Sequence, residues 1–387
     1  MTPHHLILAF LYFFVVLVVL PIFCGDKIYS LHYQDDPRRD AEIDAVKRVY
    51  RKSGVKEYLL HIQGKESLAF HESKLSAPWV DNLIIVMAQN STHHKEQQDD
   101  LVLSQVVAEI DRSMRKEGVY HSALIICNTT PVSNTSELNN LAQLYPIIST
   151  DTTKTTKSKK AVLNAEELMK RNFIECISKG VKRFHTKAKH VTVIKGDLVV
   201  PYPGFVNVVN QVINKRLSSN FVRGELMPSE TSWLFLHLHE PVPFRHYDLS
   251  WSSFVEVLLL TVSGAVIFCV IFRWLEGPNQ TSVTQVTYAC YGALYFLTFT
   301  LVIGRPYVSE LRRVGIDFYR LYDPYEPVQF SAVSFPTSSL SKLLFEMRRL
   351  RCSQYVPFHR VLDQMVSTLQ LPGYVISPPL VRYVTRT

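Results

Sequence analysis

Charge is scarce in this sequence. Asp, Glu, Lys and Arg make up 20% of its 387 residues, against 47% hydrophobic and 11% aromatic. That balance excludes a disordered chain, which needs low hydrophobicity and high net charge. Basic residues are not interleaved with aromatics along any amphipathic helix, so nothing points to nucleic acid. Cysteine is sparse too, six in all, and no two stand as Cys-x-x-Cys, which excludes a zinc ribbon and a thioredoxin-type site. The length excludes a single small binding module and leaves room for a large domain with a site. The net charge of +8 suits anionic lipid or a phosphorylated substrate as well as it suits nucleic acid, and cannot choose among them. Its densest run, Lys154, Lys157, Lys159 and Lys160, lies in a Thr/Ser-rich stretch that reads as a solvated loop.

What is present instead is clustered apolarity. Leu6 to Phe23 carries no charge, and its length meets the roughly 17 to 25 residues of a spanning helix. A cleaved signal peptide would show a shorter apolar core, a basic start and small residues at the cut. Here only His4 and His5 precede the run and Pro21-Ile22-Phe23-Cys24-Gly25 ends it, so an uncleaved anchor is favoured. Val255 to Phe272, with Glu256 as its one charge, and Val286 to Ile303, with none, flank a turn holding Arg273, Glu276, Gly277 and Pro278. Too polar-poor to form a wet face, they read as a helical hairpin in the bilayer. Glu256 and Ser263 either pair inside the bundle or sit at the interface. Sequons at Asn90, Asn128 and Asn134 lie between the first span and the hairpin and suit a lumenal body. Arg273 suits a cytosolic tip, which leaves the sequon at Asn279 unused. The N terminus is then cytosolic and the C terminus lumenal. Cys127, Cys176 and Cys352 fall in the lumenal part, where one disulfide is permitted among three candidates.

The body alternates strands and helices. Leu83 to Met87 is a short buried-strand run, and Leu103, Val106, Val107, Ile110 and Met114 follow a helical period. Ala123 to Cys127 is a second strand, a helix from about Val162 to Lys187 carries the stripe Phe173, Ile177, Val181 and Phe184, and Val191 to Ile194 is a third strand. This order predicts an open, mainly parallel α/β sheet with ligands beyond the carboxyl ends of its strands. Strands and helices resume after the hairpin. The expected organisation is a cytosolic tail at 1–5, an anchor at 6–25, a lumenal stem at 26–80, one domain in two parts at 81–250 and 306–387, and the transmembrane hairpin at 251–305 inserted between them.

The strand ending Val193-Ile194, followed by Lys195-Gly196-Asp197, then Pro201-Tyr202-Pro203-Gly204-Phe205 and a helix, resembles the nucleotide-sugar strand of a GT-A glycosyltransferase, where an Asp-rich triplet precedes a Pro-x-Phe entry to a helix. Phe235-Leu236-His237-Leu238-His239-Glu240-Pro241, His246-Tyr247, the hairpin, Gly304-Arg305-Pro306, Glu310-Leu311-Arg312-Arg313 and Pro378-Pro379-Leu380-Val381-Arg382-Tyr383 together resemble the post-GPI-attachment-to-proteins GalNAc transferase family, over most of the chain. The resemblance implies a GT-A-like domain in a multi-pass Golgi membrane enzyme. It also implies the reaction, addition of a β-linked N-acetylgalactosamine from UDP-GalNAc to a mannose of the GPI glycan on GPI-anchored proteins.

Such a transfer needs the departing diphosphate neutralised, usually by a divalent ion such as Mn2+ on carboxylates, and a base at the acceptor hydroxyl. The triplet keeps one carboxylate, Asp197, as the expected metal contact, and Tyr383 stands where the pattern of such enzymes has a His. Two readings follow. In one, Lys195 supplies the positive charge while Gly196 and Asp197 complete the nucleotide-sugar contact. In the other, the chain is an inactive member that binds GPI glycans as an adaptor. Gln89 and Asn90, at the end of the first strand, meet uridine by the open-sheet rule, which glycosylation of Asn90 would contradict. Asp363 lies in a segment resembling the family's acceptor-side helix and is the candidate base, although an ordinary exposed carboxylate is the plainer reading; Asp317 and Asp323 compete. His237 and His239 share one face of a strand and, with His246, either bind a metal or are satisfied imidazoles. A transporter is disfavoured, because the spans hold hardly any ionisable residues to line a path.

Overall fold

The computed structural model describes residues 10–24, 37–63, 67–88, 101–116, 121–129, 136–150, 165–183, 187–217, 221–222, 225–226, 233–239, 251–276, 282–305, 308, 313, 315–322, 331–352 and 357–383. They form two compact units, Met1–Arg38 with Pro241–Gly315, and Arg39–Glu240 with Ile316–Thr387.

The smaller unit is helical. Its α1 is the apolar helix Phe10–Ile22, π-wound over Val15–Val19. Of the span expected at 6–25 the described residues show this short apolar helix; residues 6–9 and 25 lie outside the described residues. Two later helices contain segments long and apolar enough to cross, Ser253–Leu275 and Val283–Ile303. α1 packs on the second of these helices through Tyr12, whose hydroxyl is 2.7 Å from Thr298 Oγ1 and whose ring meets Tyr295 edge-on. The two long helices touch where a Cβ on Gly292 would lie 2.4 Å from the Gly264 carbonyl oxygen, the close backbone approach that small residues allow between apolar helices. Glu256 pairs with Arg305 at 3.6 Å, while the Ser263 hydroxyl donates to its own helix at Leu259 O.

Among the described residues the larger unit has twelve strands: β1 (Trp79–Ala88), β2 (Ser122–Asn128), β3 (Ile147–Ser149), β4 (Lys187–Lys195), β5 (Val199–Pro201), β6 (Phe221–Val222), β7 (Glu225–Leu226), β8 (Phe235–His237), β9 (Arg320–Tyr322), β10 (Ala332–Pro336), β11 (Gly373–Ser377) and β12 (Val381–Tyr383). Eight of them form one sheet in the order β3-β2-β1-β4-β10-β8-β11-β9, and β5 with β12 and β6 with β7 make two small ribbons. β3, β2, β1 and β4 are parallel neighbours; β10 is antiparallel to both β4 and β8; β11 is parallel to β8, and β9 antiparallel to β11. Two reversals cancel, so β8 and β11 point the same way as β1 and β4. The sheet is therefore mixed and mostly parallel, as expected, with β10 and β9 as its reversed strands.

The helices, in chain order, are α2 (Pro37–Gln63), α3 (Ser67–Leu75), α4 (Val102–Arg115), α5 (Ser136–Ala142), α6 (Ala165–Arg183), α7 (Phe205–Val212), α8 (Trp251–Glu276) and α9 (Ser282–Ile303) in the smaller unit, α10 (Thr337–Arg349) and α11 (Phe358–Leu369). Period-two alternation sends Ile84, Val86 and Ile194 to one sheet face, where α4 brings Val106, Val107 and Ile110 and α7 brings Phe205 and Val209. Ile85, Val193, Val333 and Phe335 go to the other, against Phe173 and Ile177 of α6, Leu343 and Met347 of α10, and Phe358, Val361 and Met365 of α11. The expected stem contributes α2 and α3 to this body: Ile62 and Leu75 are buried in the two cores.

One fully buried carboxylate ties those helices down. Asp111 of α4 accepts from the Tyr58 and Tyr145 hydroxyls at 3.1 and 3.0 Å and from Arg115 Nε at 3.0 Å, with His71 Nε2 at 3.3 Å. Burial alone would raise its pKa, but the His71 and Arg115 contacts and the Tyr145 hydroxyl outweigh it and hold Asp111 below its ordinary value. Asp111→Ala leaves Arg115 and His71 without their partner and is expected to cost on the order of 3 kcal/mol at neutral pH. Because the folded-state pKa is depressed, this contribution is present above the unfolded value of 3.8 and disappears as pH falls through the folded one. The difference between wild-type and variant denaturation midpoints should therefore close on acidification below about pH 4.

Candidate active site

The carboxyl ends of β1, β2, β3, β4, β8 and β11 share one edge of the sheet. Strand order turns back between β1 and β4, with β2 and β3 on one side and β10 onward on the other; the crevice at such a switch point is where open sheets bind ligands. Lys195, Gly196 and Asp197 sit there. Gly196 N donates to Met87 O at 3.0 Å and Lys195 N to Ser331 O at 2.8 Å. A Cβ at position 196 would stand 2.6 Å from Leu103 Cδ1 and 2.9 Å from Val86 Cγ1, so only glycine lets the chain turn this close to β1. Lys195 is buried, with Nζ 3.1 Å from Met169 Sδ of α6, and Asp197 is half-buried in the turn to β5. β5 pairs with β12 so that position 383 lies opposite Val199, two residues beyond Asp197. The register thus brings the closing Pro378–Tyr383 segment beside the triplet.

α6 feeds β4 at the far edge, so its first turn hangs over the carboxyl edge on the Lys195 side. It is fastened there by charge. Glu166 Oε2 accepts from Phe358 N at 2.8 Å and so caps α11; Glu167 Oε2 accepts from Cys352 N at 2.9 Å; Lys170 Nζ is 2.8 Å from Glu167 Oε2 and donates to Leu350 O. Burial would raise the Glu167 carboxyl, but Lys170 and the Cys352 amide, with Arg171, hold it below its ordinary value. A disulfide between Cys127 of β2 and Cys176 adds a covalent tie. It settles the pairing the sequence leaves open, and Cys352 remains as a buried thiol pushed up to about 11 by burial, which makes it a poor nucleophile.

The other sequence candidates fall as follows. Gln89, Asn90, Asn134 and His246 lie outside the described residues, Gln89 and Asn90 directly after β1. Asn128 ends β2, in register with Ala88. Asp363 is in the middle of α11, two residues from both Val361 and Met365, which are buried in the core. His237 and His239 share a face, and both are buried. His237 is fully buried beside the Phe235 ring at 4.7 Å, and burial first, with His239 second, pushes it down to about 3. Sequence reasoning missed Ser331, Met169, Glu166 and Glu167, isolated residues whose importance comes only from register and from the position of α6. Among the described residues no three of His, Cys, Asp and Glu gather around an ion-sized space. Among the described residues, one carboxylate beside a lysine does not make a site for Mn2+, which needs several oxygen ligands.

A mixed, mostly parallel α/β sheet with a charged strand end at its switch point and two long apolar helices is consistent with a membrane-associated glycosyltransferase of GT-A-like build. The sequence profile of the GPI-N-acetylgalactosamine transferase PGAP4 family matches residues 83–382, and the chain belongs to that family. No curated protein matches it.

Two outcomes follow from the tethering of α6. Glu167→Ala leaves buried Lys170 without its counter-charge and should lower stability by about 3 kcal/mol, more than Lys170→Met, which removes both charge and demand. Reducing the Cys127–Cys176 bond, which closes a loop with a sequence separation of 49, should cost about 4 kcal/mol by the chain-entropy relation. Denaturant melts of the full chain in detergent, with and without reductant, measure both.

Proposed function

We propose that this chain transfers N-acetylgalactosamine from UDP-GalNAc to a mannose of the GPI glycan on GPI-anchored proteins, as a multi-pass protein of the Golgi membrane with its body in the lumen. The observation that carries the reading is Lys195 at the switch point of a chain that belongs to a GalNAc transferase family. The Cys127–Cys176 disulfide supports an oxidising compartment, and the two long apolar helices support a membrane setting.

In this mechanism Lys195 meets the diphosphate and stabilises the charge that develops on departing UDP. Asp197 contacts the ribose, and Gln89 and Asn90 face the uracil. Asp363 accepts the proton from the acceptor hydroxyl as that oxygen bonds to the anomeric carbon and the carbon–phosphate-oxygen bond breaks, which inverts the centre and gives a β-linked product. Lys195 must leave Met169 to reach the phosphates, and methionine's unbranched, flexible side chain permits that exchange.

The test is UDP release from UDP-GalNAc by the purified full chain in detergent, with a GPI glycan as acceptor. Turnover should persist in EDTA, fall at least about 100-fold in Lys195→Met and about 100- to 10,000-fold in Asp363→Asn. No UDP release under any metal condition defeats the transferase reading. The lone carboxylate of the triplet favours one alternative, a family member that binds GPI glycans without transfer, and retained glycan binding in a turnover-dead wild type would support it. Mass spectrometry of native glycopeptides decides between sugar and uracil at Asn90 and reads Asn128 and Asn134 as glycosylation sites.

A further inference from the structure

The polar residues at the carboxyl edge are not scattered. Met87 of β1 is in register with Lys195 of β4, and the Lys195 N to Ser331 O bond carries the β4–β10 register one residue further. Extending the pair Val333↔His237 by two residues sets Ser331 opposite His239, and extending Val375↔His237 in the same way sets His239 beside Ser377. Neighbours in such a row stand about 5 Å apart with side chains on the same face. Lys195, Ser331, His239 and Ser377 therefore form one strip across four adjacent strands, on the face covered by α6, α10 and α11. One row inward, the same strands present Val193, Val333, His237 and Val375 to the core. The face thus changes from three valines and one buried histidine to an all-polar last row.

The strip is sunken: Lys195 and His239 are 7% exposed, Ser377 3% and Ser331 1%. Ser331 Oγ has no hydrogen-bond partner among the described residues. A buried hydroxyl left unbonded costs stability, so native structures keep one where something else bonds it. Ser331, His239 and Ser377 offer donors and acceptors without fixed charge, which suits the hydroxyls of a neutral sugar better than a phosphate. They also lie on the side of Lys195 away from the switch point, where whatever is joined to a diphosphate at Lys195 would extend.

We propose that Ser331, His239 and Ser377 form a hexose-binding strip that continues the Lys195 diphosphate site along the carboxyl edge. The assignment rests on the transferase reading for the position of the diphosphate. The hexose is either the sugar of the donor or the mannose of the acceptor, and binding measurements separate the two.

Isothermal titration of the full chain in detergent with UDP, UDP-GalNAc and a soluble mannose-terminated GPI glycan is the experiment, on wild type, Ser331→Ala and His239→Gln. Both variants should bind UDP within about twofold of wild type and lose about three- to tenfold in affinity for a sugar ligand, the loss of one neutral hydrogen bond. Loss with UDP-GalNAc assigns the strip to the donor sugar, and loss with the GPI glycan alone assigns it to the acceptor. Ser331→Ala should melt no lower than wild type, since it removes an unbonded buried hydroxyl, so a fold defect cannot imitate the result. Unchanged sugar affinity in both variants overturns the proposal, as does a fall in UDP affinity equal to that for the sugar ligand. Failure of the transferase reading alone has a different signature: wild type binds the ligands and the variants weaken sugar binding, yet no UDP is released. A wild type that binds none of the three overturns both.

Discussion

The position of β10 between β4 and β8 is the constraint on which the larger unit depends. Both flanking strands take their hydrogen bonds from it, and without it the sheet would part into β3-β2-β1-β4 and β8-β11-β9. β10 comes from the chain after the long apolar helices, whereas β4 and β8 come from before them, so the pairing reunites two stretches separated by Pro241–Gly315. Closure entropy grows only with the logarithm of loop length, which is why a sheet can tolerate so long an insertion. The same pairing builds the site. Ser331, the residue before β10, takes the Lys195 amide proton, so the strand end that carries the triplet is set by a residue more than a hundred positions away in sequence.

Buried polar groups in this body are of three kinds. Some are structural and satisfied: Asp111 among its tyrosines and Arg115, Thr192 donating to Asn82 in the centre of the sheet at 2.9 Å, and Glu167 with Lys170 at the edge. These networks fix α4 to α2 and α3, β4 to β1, and α6 to the segment before α11, at places where apolar packing alone would leave them free to slide. His237 and His190 are a milder case, kept neutral by burial, which lowers them to about 3 and about 4. The polar strip beyond Lys195 belongs to neither group. It lies where the apolar row has ended and where the chain turns out of the sheet, so its polar groups displace no apolar side chain of the core.

Legibility in the sequence followed the range of the physics. The apolar run of β1 and the stripe of α4 are local, and Ile84, Val86, Val106 and Ile110 are buried as their spacing predicts. The triplet at 195–197 was visible because it follows a strand pattern directly. β3 was not, being three residues long after Pro146. α2 was missed because its charges form no apolar stripe, and its docking rests on Tyr58 reaching Asp111. Strand reversal at β10, the choice of Cys176 over Cys352 for Cys127, and the alignment of Ser331 with His239 depend on register between distant segments. A lone serine has no pattern in sequence; it acquires one only when its neighbours across the sheet are known.

The diphosphate contact proposed for Lys195, Gly196 and Asp197 also has an electrostatic logic. Two carboxylates and a divalent ion, the arrangement an Asp-rich triplet provides, sum to no net charge, and Lys195 with Asp197 sum to none as well. In the proposed reading the local charge balance facing a diphosphate is therefore the same, without a metal's coordination geometry. An ammonium is a mobile point charge without the directional demands of a metal centre, so its placement has to come from packing. Gly196 supplies that by holding the turn against Leu103 and Val86, and Met169 by covering the lysine from α6. Since α6 is itself fixed by Glu166, Glu167 and the Cys127–Cys176 bond, the tethering of one helix becomes part of how a single lysine is aimed. Under the proposed reading, preorganisation that a metal site would draw from its ligands comes instead from a disulfide and two carboxylates that hold α6 in place.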